Sequence, residues 1–332
     1  MNNRLTLAAA LVVATSSASA QTANPELPEL VVYTYDSFAS EWGPGPAIKA
    51  SFEAECACTL TFVAAGDAAE VLSRLRLEGS RSAADVVVGL DSSLIPMAKE
   101  SGLFTAHGQD MAALTLPIDW DDATYLPVDW GYFAFVYDTT RVETPPTSFV
   151  MLDALNYSII IQDPRSSSPG LGLLLWIKAA FGDQSGAIWE GLADQIVTVT
   201  PGWSEAYGLF TSGEADMVLS YTTSPAYHVI VEGDDTKRAA TFAEGHYMQI
   251  ELAAQLASSE QPALAAAFLA HLISPAVQDV IPTTNWMYPA AQSADLPDGF
   301  AAPPARALNF PTEWIAQNRQ AAVDEWLAAL AR

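Results

Sequence analysis

ELVVYTYDSFASEWGPGPAIKASFEAECACTLTFVAAGDAAEVLSRLRLEGSRSAADVVVGLDSS (29–93) is the stretch that sets the fold class. It holds three short apolar, β-rich runs at 30–34, 60–64 and 84–89. A helical pattern at 47–55, opened by Gly-Pro-Gly-Pro at 43–46, separates the first two. Another at 68–77, with Asp67 as its N-cap, separates the second and third. Parallel strands need a crossover, and a helix is the usual one, so this alternation predicts an α/β fold with largely parallel strands. Beyond a less regular stretch, an aromatic strand is expected at 131–137. The alternation then restarts with strand 157–162, helix 169–181, strand 196–200, helix 204–212 and strand 216–220. Strand 247–257, helix 262–273 and a mostly helical 311–330 complete the chain, after a Pro- and Ala-rich extended connection at 295–307. Two alternating blocks joined by strand-like crossings predict two lobes with a cleft between them. We assign 29–131 plus about 250–295 to lobe 1 and 132–249 to lobe 2, with C-terminal helices in 296–332 returning across both.

Composition narrows the partners. The 332 residues include 39 acidic and 14 basic side chains, a net charge of −25, with the basic residues scattered. Nucleic acid and anionic membrane surfaces need a basic face, so both are excluded as partners. At 50% apolar and 16% charged the chain has ample material for a core, and disorder is excluded as the overall class.

Residues 1–20 read as a cleavable secretory signal. Arg4 gives the basic start, 5–13 the apolar run and Ala18-Ser19-Ala20 the small-residue cleavage pattern. No later segment approaches 18 uninterrupted apolar residues. An exported, soluble chain is expected. In an oxidising compartment Cys56 and Cys58 favour a local disulfide, with inert thiols, a metal or a reactive thiol as alternatives. The four histidines have no metal-ligand spacing.

In open α/β sheets ligands bind beyond the carboxyl ends of the strands, and those ends are where chemistry should collect. Tyr35 and Asp36 end the first strand, Gly66-Asp67 follows the second, and Asp91-Ser92 ends the third. Arg165-Ser166-Ser167-Ser168-Pro169-Gly170 opens a helix in the second block, Trp203 opens another, and Tyr221-Thr222-Thr223-Ser224 ends a strand. Aromatics, hydroxyls and carboxylates dominate, which suits a binding cleft better than a nucleophile and base. Serine hydroxyls with the free N–H groups of a first helical turn suit a phosphate or other polar group, or simply cap the helix. Trp203, Trp286, Tyr35, Tyr221 and Tyr227 lie where a ring can face a cleft. A flat cation between such rings gains about 0.5–2 kcal/mol per ring, and Asp67, Asp91 or Asp129 could balance its charge. Trp42, Trp176, Trp189, Trp314 and Trp326 are expected to pack. No phosphate-loop or dinucleotide fingerprint is present, so no nucleotide cofactor is expected.

The segments YTYDSFASEWGPGPAIKASFEAECAC (33–58), ADVVVGLDSS (84–93), GYFAFVYD (131–138), QDPRSSSPGLGLLLW (162–176), GWSEAYGLF (202–210), SYTTSPAYH (220–228), EGHYMQ (244–249) and IPTTNWMYP (281–289) resemble the periplasmic thiamine-binding proteins. These are the substrate-binding components of thiamine ABC transporters. The resemblance runs from about residue 30 to the C-terminus. It implies a two-lobed periplasmic binding protein fold, type II and ferric-binding-protein-like, with hinge strands and an interlobe cleft. It implies thiamine, thiamine monophosphate or thiamine diphosphate as ligand, no cofactor, a membrane permease as partner, a periplasmic location, a monomer and no catalysis. Carried over by motif, ligand contacts fall at Asp67 and Ala68, Ser167 and Ser168, Trp203, and Tyr221, Thr222, Thr223 and Ser224. Stacking aromatics match Tyr35, Tyr227 and Trp286. Asp67 or Asp91 is the acid expected to meet the aminopyrimidine or the thiazolium. The family pattern has Asp-Gly where this chain has Asp67-Ala68, a change a backbone contact tolerates unless the position needs positive φ. Two rival readings share the fold. A thiamine-cleaving enzyme would need a cysteine nucleophile at the cleft, and a ferric-iron binder would need adjacent tyrosines. A purely structural or adhesive role would leave the strand-end aromatics without a purpose.

Overall fold

A computed structural model describes residues 27–291 and 295–331. The expected signal at 1–20 lies outside them. Among the described residues there are twelve strands: β1 (Glu29–Thr34), β2 (Thr59–Ala64), β3 (Val86–Asp91), β4 (Phe104–Thr105), β5 (Leu126–Asp138), β6 (Ile159–Gln162), β7 (Ile196–Thr200), β8 (Met217–Tyr221), β9 (Lys237–Ala239), β10 (His246–Leu256), β11 (Tyr288–Pro289) and β12 (Ala307–Leu308). The main path runs β2-β1-β3-β10-β5-β8-β6-β7. β1 pairs in parallel with β2 and β3, and β6 in parallel with β7 and β8, as the alternating blocks require.

β5 and β10 join these two parallel halves. From Leu126 to Tyr132, β5 pairs antiparallel with β10; from Phe133 to Tyr137 it pairs antiparallel with β8. One strand therefore serves both lobes, and its partner changes between Tyr132 and Phe133. Every residue of β10 is buried, as are all of β5 except its last. That is why both read as near-continuous apolar or aromatic runs rather than alternating ones.

Helices cover both faces. Ser168–Phe181 has ten buried residues and is apolar nearly all round, the mark of a helix enclosed by protein. Its start is tied to β6 by Gly170, where a Cβ would come within 2.4 Å of the Gln162 carbonyl oxygen. Trp176 anchors an aromatic core with Phe149, at 4.8 Å between ring centroids, and Phe242, at 5.2 Å. Lobe 1 has its own core around Phe52 and Phe268, whose rings meet edge-on at 5.1 Å. The C-terminal helix Thr312–Leu330 packs on Ile95–Ser101 from one lobe and on Ser168–Phe181 and Ser185–Leu192 from the other.

Cys56 and Cys58 form a disulfide, with Cα atoms 5.2 Å apart. The intervening Ala57 closes helix Gly45–Cys56 in the left-handed conformation, φ 50°. Of the tryptophans expected to pack, Trp176, Trp189 and Trp326 are buried, and Trp314 is half-buried against Phe310. Trp42 departs from that expectation. It is 55% exposed, because the short helix Asp36–Ala39 and the GPGP turn carry it to the rim of the cleft.

Candidate functional site

A cleft of 360 Å³ opens between the lobes. Tyr35, Asp67, Ala68, Ser168, Trp203, Tyr221, Ser224, Tyr227 and Trp286 all line it. Asp91, Ser167, Thr222 and Thr223 do not reach its surface; three of them are buried behind the wall and Thr222 is half-buried. Asp91 and Ser167 hold residues in front of them, through Ser168 and Asp67 respectively.

The lobes meet across the cleft through acids on one side and donors on the other. Asp67 caps helix Ala68–Glu78 in a capping box, accepting from Ala68 N at 2.7 Å while Glu70 accepts from Asp67 N at 3.1 Å. The same carboxylate accepts from Ser167 Oγ at 2.7 Å and from Trp203 N at 3.2 Å, both on the opposite lobe. Trp203 starts helix Trp203–Thr211, so Asp67 lies at a helix N-terminus, where the dipole favours negative charge. Asp91 accepts from Ser93 N at 2.6 Å and from Ser168 Oγ across the interface. Burial raises both carboxyls above their usual range, and these donors oppose the rise. Ala68 is the first helical residue and is not among the residues with positive φ, so the replacement of Gly at this position carries no backbone strain.

Aromatic rings furnish the rest of the wall. Trp203 stacks on Tyr207 at 4.9 Å, and its Nε1 donates to Ser220 Oγ at 2.8 Å, which fixes the indole plane. Ser220 and Ser224 share a hydrogen bond of 2.7 Å, so the strand end that carries Tyr221 is held as a unit. Tyr221 donates to Gln249 Oε1 at 2.6 Å. Trp286 has φ 57°, a conformation unusual for a bulky side chain, and its ring meets Tyr227 edge-on at 5.5 Å. Strain of this kind costs of order 1–3 kcal/mol and gathers at ligand sites. Tyr35 packs against Gly89, where a Cβ would come within 2.2 Å of the ring and where φ is 102°. Gly89 also falls at the irregularity in the β3–β10 pairing, between the register partners of Leu252 and Ala253.

Sequence reasoning did not single out Glu251, Gln249, Asn285 or Tyr207, all of which line the cleft. Glu251 left one signal: a carboxylate inside an apolar strand run. Tyr35 OH donates to Glu251 Oε2 at 2.7 Å, and Asn285 Nδ2 donates to Asp129 Oδ2 at 2.6 Å. Both cysteines of the chain are consumed by the disulfide, so no thiol is available to the cleft. Among the described residues the one compact group of possible metal ligands is His228, Glu232 and Asp234. His228 there is already engaged by Glu232 at 2.7 Å and Tyr207 at 2.9 Å, while the Asp234 carboxylate pairs with Lys237 and accepts from Thr236 N.

Comparison with known proteins agrees with this geometry. The family model for bacterial extracellular solute-binding proteins matches residues 40–279. The thiamine-binding periplasmic protein of Escherichia coli (strain K12) is 52% identical over 309 residues, covering 92% of this chain and 94% of that one. A solved periplasmic thiamin binding protein superposes with a TM-score of 0.91 at 51% identity, covering 93% of this chain and 98% of the other. A ferric binding protein from Campylobacter jejuni gives a TM-score of 0.72 at 19% identity, over 90% of this chain and 99% of its own, a likeness of fold alone.

Proposed function

From the premise that this chain belongs to the bacterial extracellular solute-binding proteins, and within them to the thiamine-binding periplasmic proteins, we propose that it captures thiamine and delivers it to an ABC importer. The observation that carries the reading is a cleft, lined by five aromatic side chains expected to stack on a flat ligand, where the two lobes meet. Trp203, Tyr221, Tyr227, Trp286 and Tyr35 hold the two rings of the ligand. Each ring–cation contact contributes about 0.5–2 kcal/mol. Ser168 and the N-termini of Ser168–Phe181 and Trp203–Thr211 receive the hydroxyethyl end, or the phosphate of thiamine monophosphate or diphosphate, while Ser167, expected from the sequence to share that task, is turned instead to Asp67.

Ligand capture shifts the lobes toward the closed arrangement, and that arrangement is the form a membrane permease recognises. The protein works as a monomer in the periplasm and needs no cofactor. Binding rather than cleavage of thiamine is the activity: the relatives are named as binding proteins, and the disulfide leaves no cysteine nucleophile. Iron is a poor fit, since Tyr221 spends its hydroxyl on Gln249 and has no tyrosine beside it in sequence.

Calorimetric titration of the purified protein with thiamine, its monophosphate and its diphosphate tests the reading. Thiamine is expected to bind, and Trp203→Ala to weaken it by about tenfold, equivalent to about 1.4 kcal/mol. A folded wild-type protein that binds none of the three forms would refute the function. Undiminished affinity in Trp203→Ala would remove that ring from the site.

A further inference from the structure

Asp91 on β3, Glu251 on β10 and Asp129 on β5 are register partners across three neighbouring strands, so three carboxyls stand in one row on one face of the sheet. Like charges directly opposite one another destabilise a sheet. Asp91 is relieved by Ser93, Ser168 and the nearby Arg319 guanidinium. The other two lack such relief. Glu251 is 4% exposed and Asp129 fully buried, and among the described residues no Lys or Arg pairs with either. One oxygen of each has a neutral donor: Glu251 Oε2 takes Tyr35 OH, and Asp129 Oδ2 takes Asn285 Nδ2. The second oxygen of each, Glu251 Oε1 and Asp129 Oδ1, is buried with no partner. Burying an unpaired charge is expensive, and native proteins keep such groups neutral or supply a counter-ion. Glu251 lines the cleft, so the counter-ion can come from outside the chain.

Resting on the thiamine-binding reading above, we propose that Glu251, backed by Asp129, is the counter-charge for the cationic heteroaromatic ligand, and that ligand entry expels a proton the two carboxyls share when the cleft is empty. The thiazolium is permanently positive, so ligand and proton compete for the same buried site. The proton leaves to solvent and no covalent bond changes. The groups facing the pair are Tyr35 from the end of β1, Asp91 from β3, Asn285 beside Trp286, and, at longer range, Asp67 and Tyr221. None of these is a cation, so none substitutes for the ligand's charge. Burial raises both carboxyls, Asp129 to about 7, and the nearby Asp129 charge adds to the rise at Glu251, which puts the exchange within reach of ordinary buffers. Asp67 and Asp91, the acids first expected to meet the ligand's charge, already have a full set of donors.

The test is calorimetry of thiamine binding at about pH 6.5 in two buffers of small and large ionisation enthalpy, which counts protons released. For the wild type the apparent enthalpy should differ between buffers by close to one ionisation enthalpy per thiamine. Affinity should also rise with pH. In Glu251→Gln the difference should vanish and affinity fall by about tenfold or more. Asp129→Asn, which keeps the shape and the Asn285 contact region, should likewise abolish proton release. Thiamine binding by the wild type with buffer-independent enthalpy overturns this inference and leaves the functional reading intact, as does wild-type affinity in Glu251→Gln. Absence of any thiamine binding by the folded wild type overturns both.

Discussion

Asp67 and Asp91 reach the lobe interface surrounded by donors: two backbone N–H groups and a serine hydroxyl for Asp67, one N–H and a serine hydroxyl for Asp91. Asp129 and Glu251, on the crossing strands, have an amide and a phenol between them and two oxygens with nothing. Four acids at the lobe junction, three of them buried and Asp67 half-buried, therefore do opposite work. The first pair is saturated by the protein and fastens one lobe to the other. The second is left wanting by the protein, which is the condition for a ligand to complete it. Burial alone does not mark a binding carboxylate; an unfilled lone pair at the cleft does.

The strongest way to break this contrast is Asp91→Ala. It strands the buried Ser93 N–H and Ser168 hydroxyl, at a cost of about 1–3 kcal/mol. Thermal denaturation of the ligand-free protein should move down by several degrees. Glu251→Gln should do the reverse. Relief of the like-charge row should raise the melting temperature of the ligand-free protein, by up to about 1 kcal/mol of stability, even as thiamine affinity falls. A melting temperature lowered as much as by Asp91→Ala would place Glu251 among the structural acids.

Titration sharpens the contrast further. The Asp129 carboxyl is raised from 3.8 to about 7, so the folded chain holds a proton that the unfolded chain has released. That contribution to stability is complete below about pH 4 and is lost as pH rises through about 7. Between those limits the melting temperature of the wild type should fall relative to that of Asp129→Asn as pH rises. Parallel curves would contradict the raised carboxyl. The smallest effect belongs to Ala68→Gly. Ala68 has an ordinary helical backbone, so restoring glycine should cost about 0.5 kcal/mol and leave affinity unchanged.

Much of this molecule is legible in its sequence because its local signals agree with its fold. The alternation in 29–93 gives β1, β2 and β3 within two residues of their observed ends, and Asp67 is the N-cap it reads as. The first half of β5 is not legible. Pro127 argues against a central strand, yet here it sits opposite Leu252 at an irregularity in the pairing, where a missing N–H is tolerated. Five aromatics of the cleft are readable from their position near strand ends and turns; Tyr207, within a helix, and Trp42 are not. The exposure of Trp42 depends on how a turn aims it, which no spacing encodes. The Asp129–Glu251 pair is beyond reach for a similar reason. The two lie more than a hundred residues apart and meet only through the β5–β10 register.

That register puts the pair on the strands that run between the lobes. A rigid lobe turning about such strands moves its far edge through a long arc and its fulcrum hardly at all. Glu251 can therefore greet an entering cation at the same position whether the cleft is open or shut. In the closure proposed above, Ser167, Ser168 and Trp203, on the opposite lobe, complete their bonds to Asp67 and Asp91 as the lobes come together. Release runs the sequence backwards: the outer grip lets go first, and the charge is surrendered last.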